Sequence, residues 1–191
     1  MAYSSQGRAK AQRHPYSQRK HSQWKRYLLS VLATLFACSA LIFHNAANAS
    51  PVGDLNKQGE GEMTYLFWTL YNAELYTTPT RSEQALKIEY YRDIDSKDLV
   101  DATQDQWEKL GYSDSKIKSW IAPLYEMWPN VKQGSTLTIR VSENQHSQFY
   151  FDEQPIGTIT DTQFGQAFLS IWLSENTSEP KLRQQLLGLN K

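Results

Sequence analysis

The order of the predicted strands and helices is the sequence feature that most limits how this chain can fold. Strand-like patterns, rich in aromatic and β-branched residues, mark residues 59–77, 85–94, 135–142, 147–152 and 155–160. Helical spacing of apolar residues marks residues 96–111, 113–128, 162–173 and 180–188. Runs of strands therefore alternate with runs of helices, without the crossovers that a parallel sheet needs. This order predicts an α+β fold, an antiparallel sheet with a layer of helices on one face.

The first strand-like segment contains the stretch 62-EMTYLFWTLYNAELY-76, which is apolar on both faces through its middle. A strand that is covered on one side should alternate apolar with polar residues. We read residues 59–77 as one or two strands, with Gly59 and Gly61 giving flexibility or a bulge. Helices are expected to cover one apolar face. The other face either lines a ligand cleft or packs against side chains of the chain itself, with Trp120, Trp128 and Trp172 as the filling residues.

Residues 1–49 have the pattern of a bacterial export signal. Residues 1–26 contain seven Lys or Arg and no acidic residue, residues 27–43 are uncharged, and Ala47-Asn48-Ala49 fits a cleavage site. We expect cleavage after Ala49 and a periplasmic protein. In the alternative, residues 27–43 remain as an anchor in the inner membrane and are the only part that contacts it. Residues 50–58 are predicted to be a linker to a domain that spans residues 59–191.

The charge and the scarcity of metal ligands exclude several classes of function. Without residues 1–49 the chain has 13 basic and 20 acidic residues, a formal net charge of −7, which disfavours nucleic acid as a partner. The single cysteine, Cys38, lies in the predicted signal, and His146 is the only histidine after residue 49. We therefore expect no metal site, no other cofactor and no disulfide.

Three segments resemble the chalcone isomerase-like family. Residues 164-FGQAFLSIWLSENTSEPKLRQQLLG-188 are similar to its closing pattern, in which a helix, a WLS break and a polar link to proline precede a final helix. Residues 69-TLYNAELY-76 are similar to its second strand, and 147-SQFYFDEQPIGTITDTQFGQAF-168 to one of its hairpins. The resemblance runs from Gly59 to Gly188 and is greatest to exported bacterial members. It implies an open-faced β-sandwich, a large antiparallel sheet with helices over one face.

The resemblance also bears on catalysis. Enzymes of the family close a flavanone ring with an arginine in the first long strand, a threonine in the second, and a Tyr-x-x-Lys-x-x-x-Asn set on the first helix. Here residues 59-GEGEMTY-65 contain no arginine, and the threonine position falls on Tyr71. The helix set falls on Ser96, Leu99 and Thr103, none of which matches. We therefore assign no catalytic residue.

Non-catalytic relatives bind fatty acids in the same cleft and keep an arginine and a tyrosine there. By resemblance, Tyr71 and Arg92 are the candidates to hold the polar end of such a ligand, and Trp68, Tyr90 and Trp120 complete the candidate binding set. The first hypothesis is a binder of a small apolar or amphipathic, fatty-acid-like molecule. The second is a structural or interaction protein with a self-filled cleft, and the third is an intramolecular lyase or isomerase.

Overall fold

Six strands form a single antiparallel sheet in which neighbours in sequence are also neighbours in space. The computed structural model describes residues 50–189. Its strands are β1 (Asn56–Tyr65), β2 (Trp68–Thr77), β3 (Gln84–Tyr90), β4 (Thr136–Val141), β5 (Ser147–Phe151) and β6 (Gln154–Ile159). Its helices are α1 (Ser96–Lys109), α2 (Asp114–Met127), α3 (Phe164–Leu173) and α4 (Pro180–Leu186). One helix pair follows β3 and the other follows β6, which confirms the predicted α+β fold.

The core lies between the helices and one face of the sheet. The strand register places Leu75, Leu86, Ile139 and Phe149 in one row across β2, β3, β4 and β5, and all four are buried. Successive side chains on a strand point to opposite faces, so this row marks the face that the helices cover. Apolar residues of all four helices join the same cluster. The sheet is open, as the predicted architecture requires.

The apolar stretch at residues 62–76 is a hairpin rather than one strand. Tyr65 of β1 pairs with Trp68 of β2, and Leu66 and Phe67 form the turn between them. Residues 65–68 are all exposed, and Phe67 at the tip is 93% exposed. Further along β2 the side chains alternate, with Ala73 and Leu75 buried against the helices. The sequence pattern that suggested a second apolar face combined residues of two strands, on either side of a turn. No single strand of residues 50–189 therefore has this face along its length.

The segment predicted as a linker is packed against the sheet. β1 begins at Asn56, inside residues 50–58. Before it, Val52 and Leu55 are buried against Ala85, on the face opposite to the helices. Arg140 fixes this segment, since it donates hydrogen bonds of 2.7 and 2.8 Å to the two carboxylate oxygens of Asp54. Residues 50–58 therefore belong to the folded unit rather than to a linker.

The predicted signal, residues 1–49, lies outside the described residues. Within residues 50–189, no helix has the length and apolar character needed to cross a membrane.

Candidate functional site

A cavity of about 220 Å³ lies between the sheet and the helices. Its walls are predominantly apolar, and they come from the strands, from α1 and from α3. The apolar and aromatic residues that line it include Met63, Leu70, Tyr71, Ile88, Tyr90, Ile94, Leu99, Trp128, Leu137, Phe168, Ile171 and Trp172. A concave, mostly apolar site with few polar groups is typical of small-molecule binding.

Two tyrosines provide polar groups in this apolar wall. Tyr71 and Tyr90 are direct cross-strand partners on β2 and β3, and their rings meet edge to face with centroids 6.0 Å apart. Burial raises the pKa of Tyr71 to about 12, and burial together with Tyr71 raises the pKa of Tyr90. Both phenols are therefore protonated at neutral pH and can donate a hydrogen bond.

The hydroxyl of Tyr71 already accepts one hydrogen bond. The indole Nε1–H of Trp172 donates to it over 2.9 Å, so the hydrogen of the Tyr71 hydroxyl is not used in this bond. The indole Nε1–H of Trp128, another residue of the cavity wall, is buried without a partner in the described part of the chain. The cavity region thus contains donors without acceptors, which a buried site normally pairs.

The mouth of the cavity lies between α1 and the segment that precedes α4. Asp98 and Gln106 contribute from α1, and Ser178 and Glu179 contribute from the segment. The Ser178 hydroxyl donates to the side-chain oxygen of Gln106 over 2.9 Å, which joins the two sides. The Thr177 hydroxyl donates to the carbonyl oxygen of Ile171 over 2.6 Å and accepts from the Glu179 amide over 3.2 Å. These bonds hold Glu179 near the end of α3, and its charge contributes to the raised pKa of Tyr71.

The structure brings together two of the five candidate binding residues. Tyr71 and Tyr90 line the cavity, whereas Trp68, Arg92 and Trp120 are not among its lining residues. Trp68 is exposed at the hairpin turn, and the guanidinium carbon of Arg92 lies 4.2 Å from the centre of its ring. Arg92 lies beyond Tyr90, the last residue of β3. Its side chain therefore leaves the sheet and stacks on the hairpin instead of entering the cleft.

Trp120 belongs to the aromatic core next to the cavity. Its ring centre is 5.4 Å from that of Trp107, and its Nε1–H donates to Asp161 over 2.9 Å. Two residues of the cavity were not in the candidate set although they shape it. Trp172 lies on the apolar face of α3 and was expected only as a filling residue, and Glu179 has no local sequence pattern that marks it.

The arrangement offers binding groups more clearly than catalytic ones. Of the positions aligned with the family's helix set, Leu99 and Thr103 line the cavity, and the Thr103 hydroxyl donates to the carbonyl oxygen of Leu99 over 2.8 Å. That hydroxyl is therefore engaged with its own helix. In the described part of the chain, no histidine, lysine or arginine lines the cavity. Within residues 50–189, no three His, Cys, Asp or Glu side chains are grouped to hold a metal ion.

Comparisons with known proteins agree with this architecture. Residues 53–188 match the family model described as chalcone isomerase-like. An uncharacterized protein of Haemophilus influenzae is 26% identical over 149 residues, which are 75% of this chain and 73% of that protein. The crystal structure of a fatty-acid binding protein of Arabidopsis thaliana matches with a TM-score of 0.59 and 13% identity, over 73% of this chain and 89% of that chain. At this identity the likeness to the plant protein shows a shared fold.

Proposed function

Because this chain belongs to the chalcone isomerase-like family, we propose that it acts through the cavity between its sheet and its helices, as a non-catalytic binder of a small apolar or amphipathic molecule. The observation that carries this proposal is that about 220 Å³ remains open although Trp128 and Trp172 already line the space. The described function of the similarly folded plant protein, fatty-acid binding, supports a ligand with an alkyl chain.

The volume limits the size of the ligand. An apolar cavity of about 150 Å³ holds benzene. A cavity of about 220 Å³ therefore has room for one ring with a short substituent, or for part of an alkyl chain. A chain of about ten carbons would leave one of its ends at the mouth, beside Ser178 and Glu179.

The second candidate function is that of an interaction protein, and the hairpin turn favours it. Tyr65, Leu66, Phe67 and Trp68 form a run of exposed large apolar residues, which soluble proteins often use as contact surfaces. In this case the cavity would be a packing defect. Ligand binding at the cavity distinguishes the two functions.

Substitution of Ala102 by Phe is expected to weaken ligand binding at least about tenfold. Ala102 is an exposed residue of α1 that lines the cavity, so a phenyl ring there would project into the ligand's space. Displacing two methylene groups from an apolar site costs about 1.6 kcal/mol, or roughly tenfold in Kd. The measurement is a titration with decan-1-ol that follows tryptophan fluorescence, to which Trp128 and Trp172 would respond.

Ala122→Phe is the matched control, because Ala122 is also exposed on a helix but does not line this cavity. We expect its Kd to equal that of the parent protein. Equal weakening by both substitutions would contradict the cavity as the binding site. Absence of any saturable signal in the parent protein would leave the interaction function as the remaining candidate.

The protein is expected to close a chalcone ring no faster than the spontaneous reaction. Ring closure needs a phenolate, and the cavity wall has no cation to stabilise it, while the carboxylates of Asp98 and Glu179 oppose it. Loss of one stabilising donor typically costs a factor of about 10² to 10³ in rate. Absorbance of the chalcone, followed with and without protein, checks this. An acceleration that Tyr71→Phe abolishes would show that the site is catalytic.

We expect the exported form to begin at Ser50. The apolar run at 27–43 and Ala47-Asn48-Ala49 motivate this, and the burial of Val52 and Leu55 shows that residues soon after the proposed cleavage site pack on the sheet. N-terminal sequencing of the periplasmic fraction provides the test. A chain that begins at Met1 and is recovered with the inner membrane would instead support the anchored form.

A further inference from the structure

The charges on the cavity wall are of one sign. Among the residues of 50–189 that line it, Asp98 and Glu179 are acidic and none is basic. We propose that the cavity selects amphiphiles with a neutral or positively charged polar end and discriminates against carboxylate anions, including the anions of fatty acids. This inference rests on the proposed binding function and specifies which ligands that function admits.

Three arginines of the described residues are not positioned to bind an anion in the cavity. Arg92 lies over Trp68 at the hairpin turn, and Arg140 is bonded to Asp54 and Glu83 on the opposite side of the sheet. Arg183 donates through Nε to the carbonyl oxygen of Leu173 over 2.9 Å. A carboxylate that leaves water needs a cation or several donors to replace its hydration, and at the mouth it would meet two charges of its own sign.

The polar groups at the inner wall are suited to an uncharged oxygen. The Tyr71 hydroxyl accepts from Trp172 and has its own hydrogen free for an acceptor, and the ring of Tyr90 meets that of Tyr71 edge to face. Both phenols remain protonated because burial raises the pKa of each. A hydroxyl or carbonyl oxygen can accept from these donors without the cost of burying a charge.

The mouth, in contrast, favours a positive group. The backbone amide of Glu179 donates to the Thr177 hydroxyl, which fixes the chain at this position, and the charge of Glu179 contributes to the raised pKa of Tyr71. Asp98 adds a second negative charge from α1 on the other side. An ammonium group at the end of a chain that fills the cavity would face both carboxylates. We therefore expect affinity to fall from alkylammonium to alcohol to carboxylate when the chain length is constant.

The test compares three ten-carbon probes, decylamine, decan-1-ol and decanoate, at pH 7 and low salt. The protein is purified without detergent after expression of the full chain, and binding is followed by tryptophan fluorescence and by calorimetry. We expect decylamine and decan-1-ol to saturate a single site and decanoate to bind at least about tenfold more weakly. Added salt should narrow the difference between the charged probes and leave decan-1-ol unchanged.

Glu179→Gln isolates the effect of charge at the mouth. We expect it to tighten decanoate binding about threefold to tenfold, to weaken decylamine binding by a similar factor, and to change decan-1-ol less than twofold. Glu175→Gln is the control, because it makes the same change in net charge at an exposed residue of the same segment that does not line the cavity. It should leave all three affinities within twofold of the parent values.

Two outcomes separate this inference from the proposed function. If decanoate binds as tightly as decan-1-ol, or if Glu179→Gln and Glu175→Gln act alike, the cavity binds ligands but does not select their charge, and only this inference is overturned. If none of the three probes binds saturably, the binding function itself fails and the inference fails with it.

Discussion

Trp107→Ala is expected to lower the free energy of unfolding by about 3–5 kcal/mol, the range for complete truncation of a buried aromatic side chain. Trp107 on α1 is fully buried, and its ring centre lies 5.4 Å from that of Trp120, 5.8 Å from Phe164 and 6.3 Å from Phe168. Its Nε1–H donates to the carbonyl oxygen of Ala167 on α3 over 2.8 Å. The substitution therefore leaves a cavity and removes one buried hydrogen bond between α1 and α3.

Trp68→Ala is the matched control for this prediction. Trp68 is 58% exposed, and its one notable contact is the guanidinium of Arg92 above its ring. A cation–π contact at an exposed site contributes about 0.5–1 kcal/mol, so the loss should not exceed about 1 kcal/mol. Urea unfolding followed by circular dichroism measures both variants. Similar losses for the two would mean that the core is not organised around Trp107.

The two tryptophans also show what sequence patterns can and cannot predict. Trp107 follows Val100 and Thr103 at helical spacing, and the structure buries all three on one face of α1, so periodicity placed it correctly. The exposed position of Trp68 was not predicted, because the turn before it, Leu66-Phe67, is not recognisable as a turn in the sequence. Two-residue hairpin turns are recognised by Gly, Asn or Asp, and here Leu66 adopts a φ of +55° without any of these residues. A turn made of apolar residues resembles the strand around it.

The candidate site shows the same division between local and tertiary information. Tyr71 and Tyr90 lie on the neighbouring strands β2 and β3, and the register of this pair alone brings them together. The mouth joins Gln106 of α1 to Ser178, residues 72 positions apart, and depends on how the helices pack. No local pattern specifies that packing, so Glu179 could not be assigned to the site. Arg92 is not among the residues that line the cavity, because β3 ends at Tyr90 and the guanidinium stacks on Trp68.

Gly59 in β1 has a structural role that the sequence indicates only in part. The pairing of β1 with β2 shifts register between Lys57 and Gly59, which agrees with the bulge expected there. The stronger reason for glycine is the approach of α4, whose buried Leu182 and Leu186 anchor it to the core. A Cβ atom at Gly59 would lie 2.2 Å from the carbonyl oxygen of Gln185 and 2.5 Å from that of Leu186. These atoms belong to helix backbone, so they cannot rotate away as a side chain could.

Gly59→Ala is therefore expected to lower the free energy of unfolding by about 3 kcal/mol, the upper part of the usual range for overpacking. Alanine would otherwise gain up to about 1 kcal/mol over glycine through the unfolded state, so a clear loss requires the clash to dominate. Gly53→Ala is the control, because its Cβ would lie at 3.4 Å or more from other atoms, and it should leave the free energy of unfolding unchanged or raise it by up to about 1 kcal/mol. Gly61→Ala should fall between them, since its closest contact, at 2.4 Å, is the movable side-chain oxygen of Gln185. Urea midpoints that fall from Gly53→Ala to Gly61→Ala to Gly59→Ala would confirm that backbone contact fixes α4 on β1. An unchanged midpoint for Gly59→Ala would contradict it.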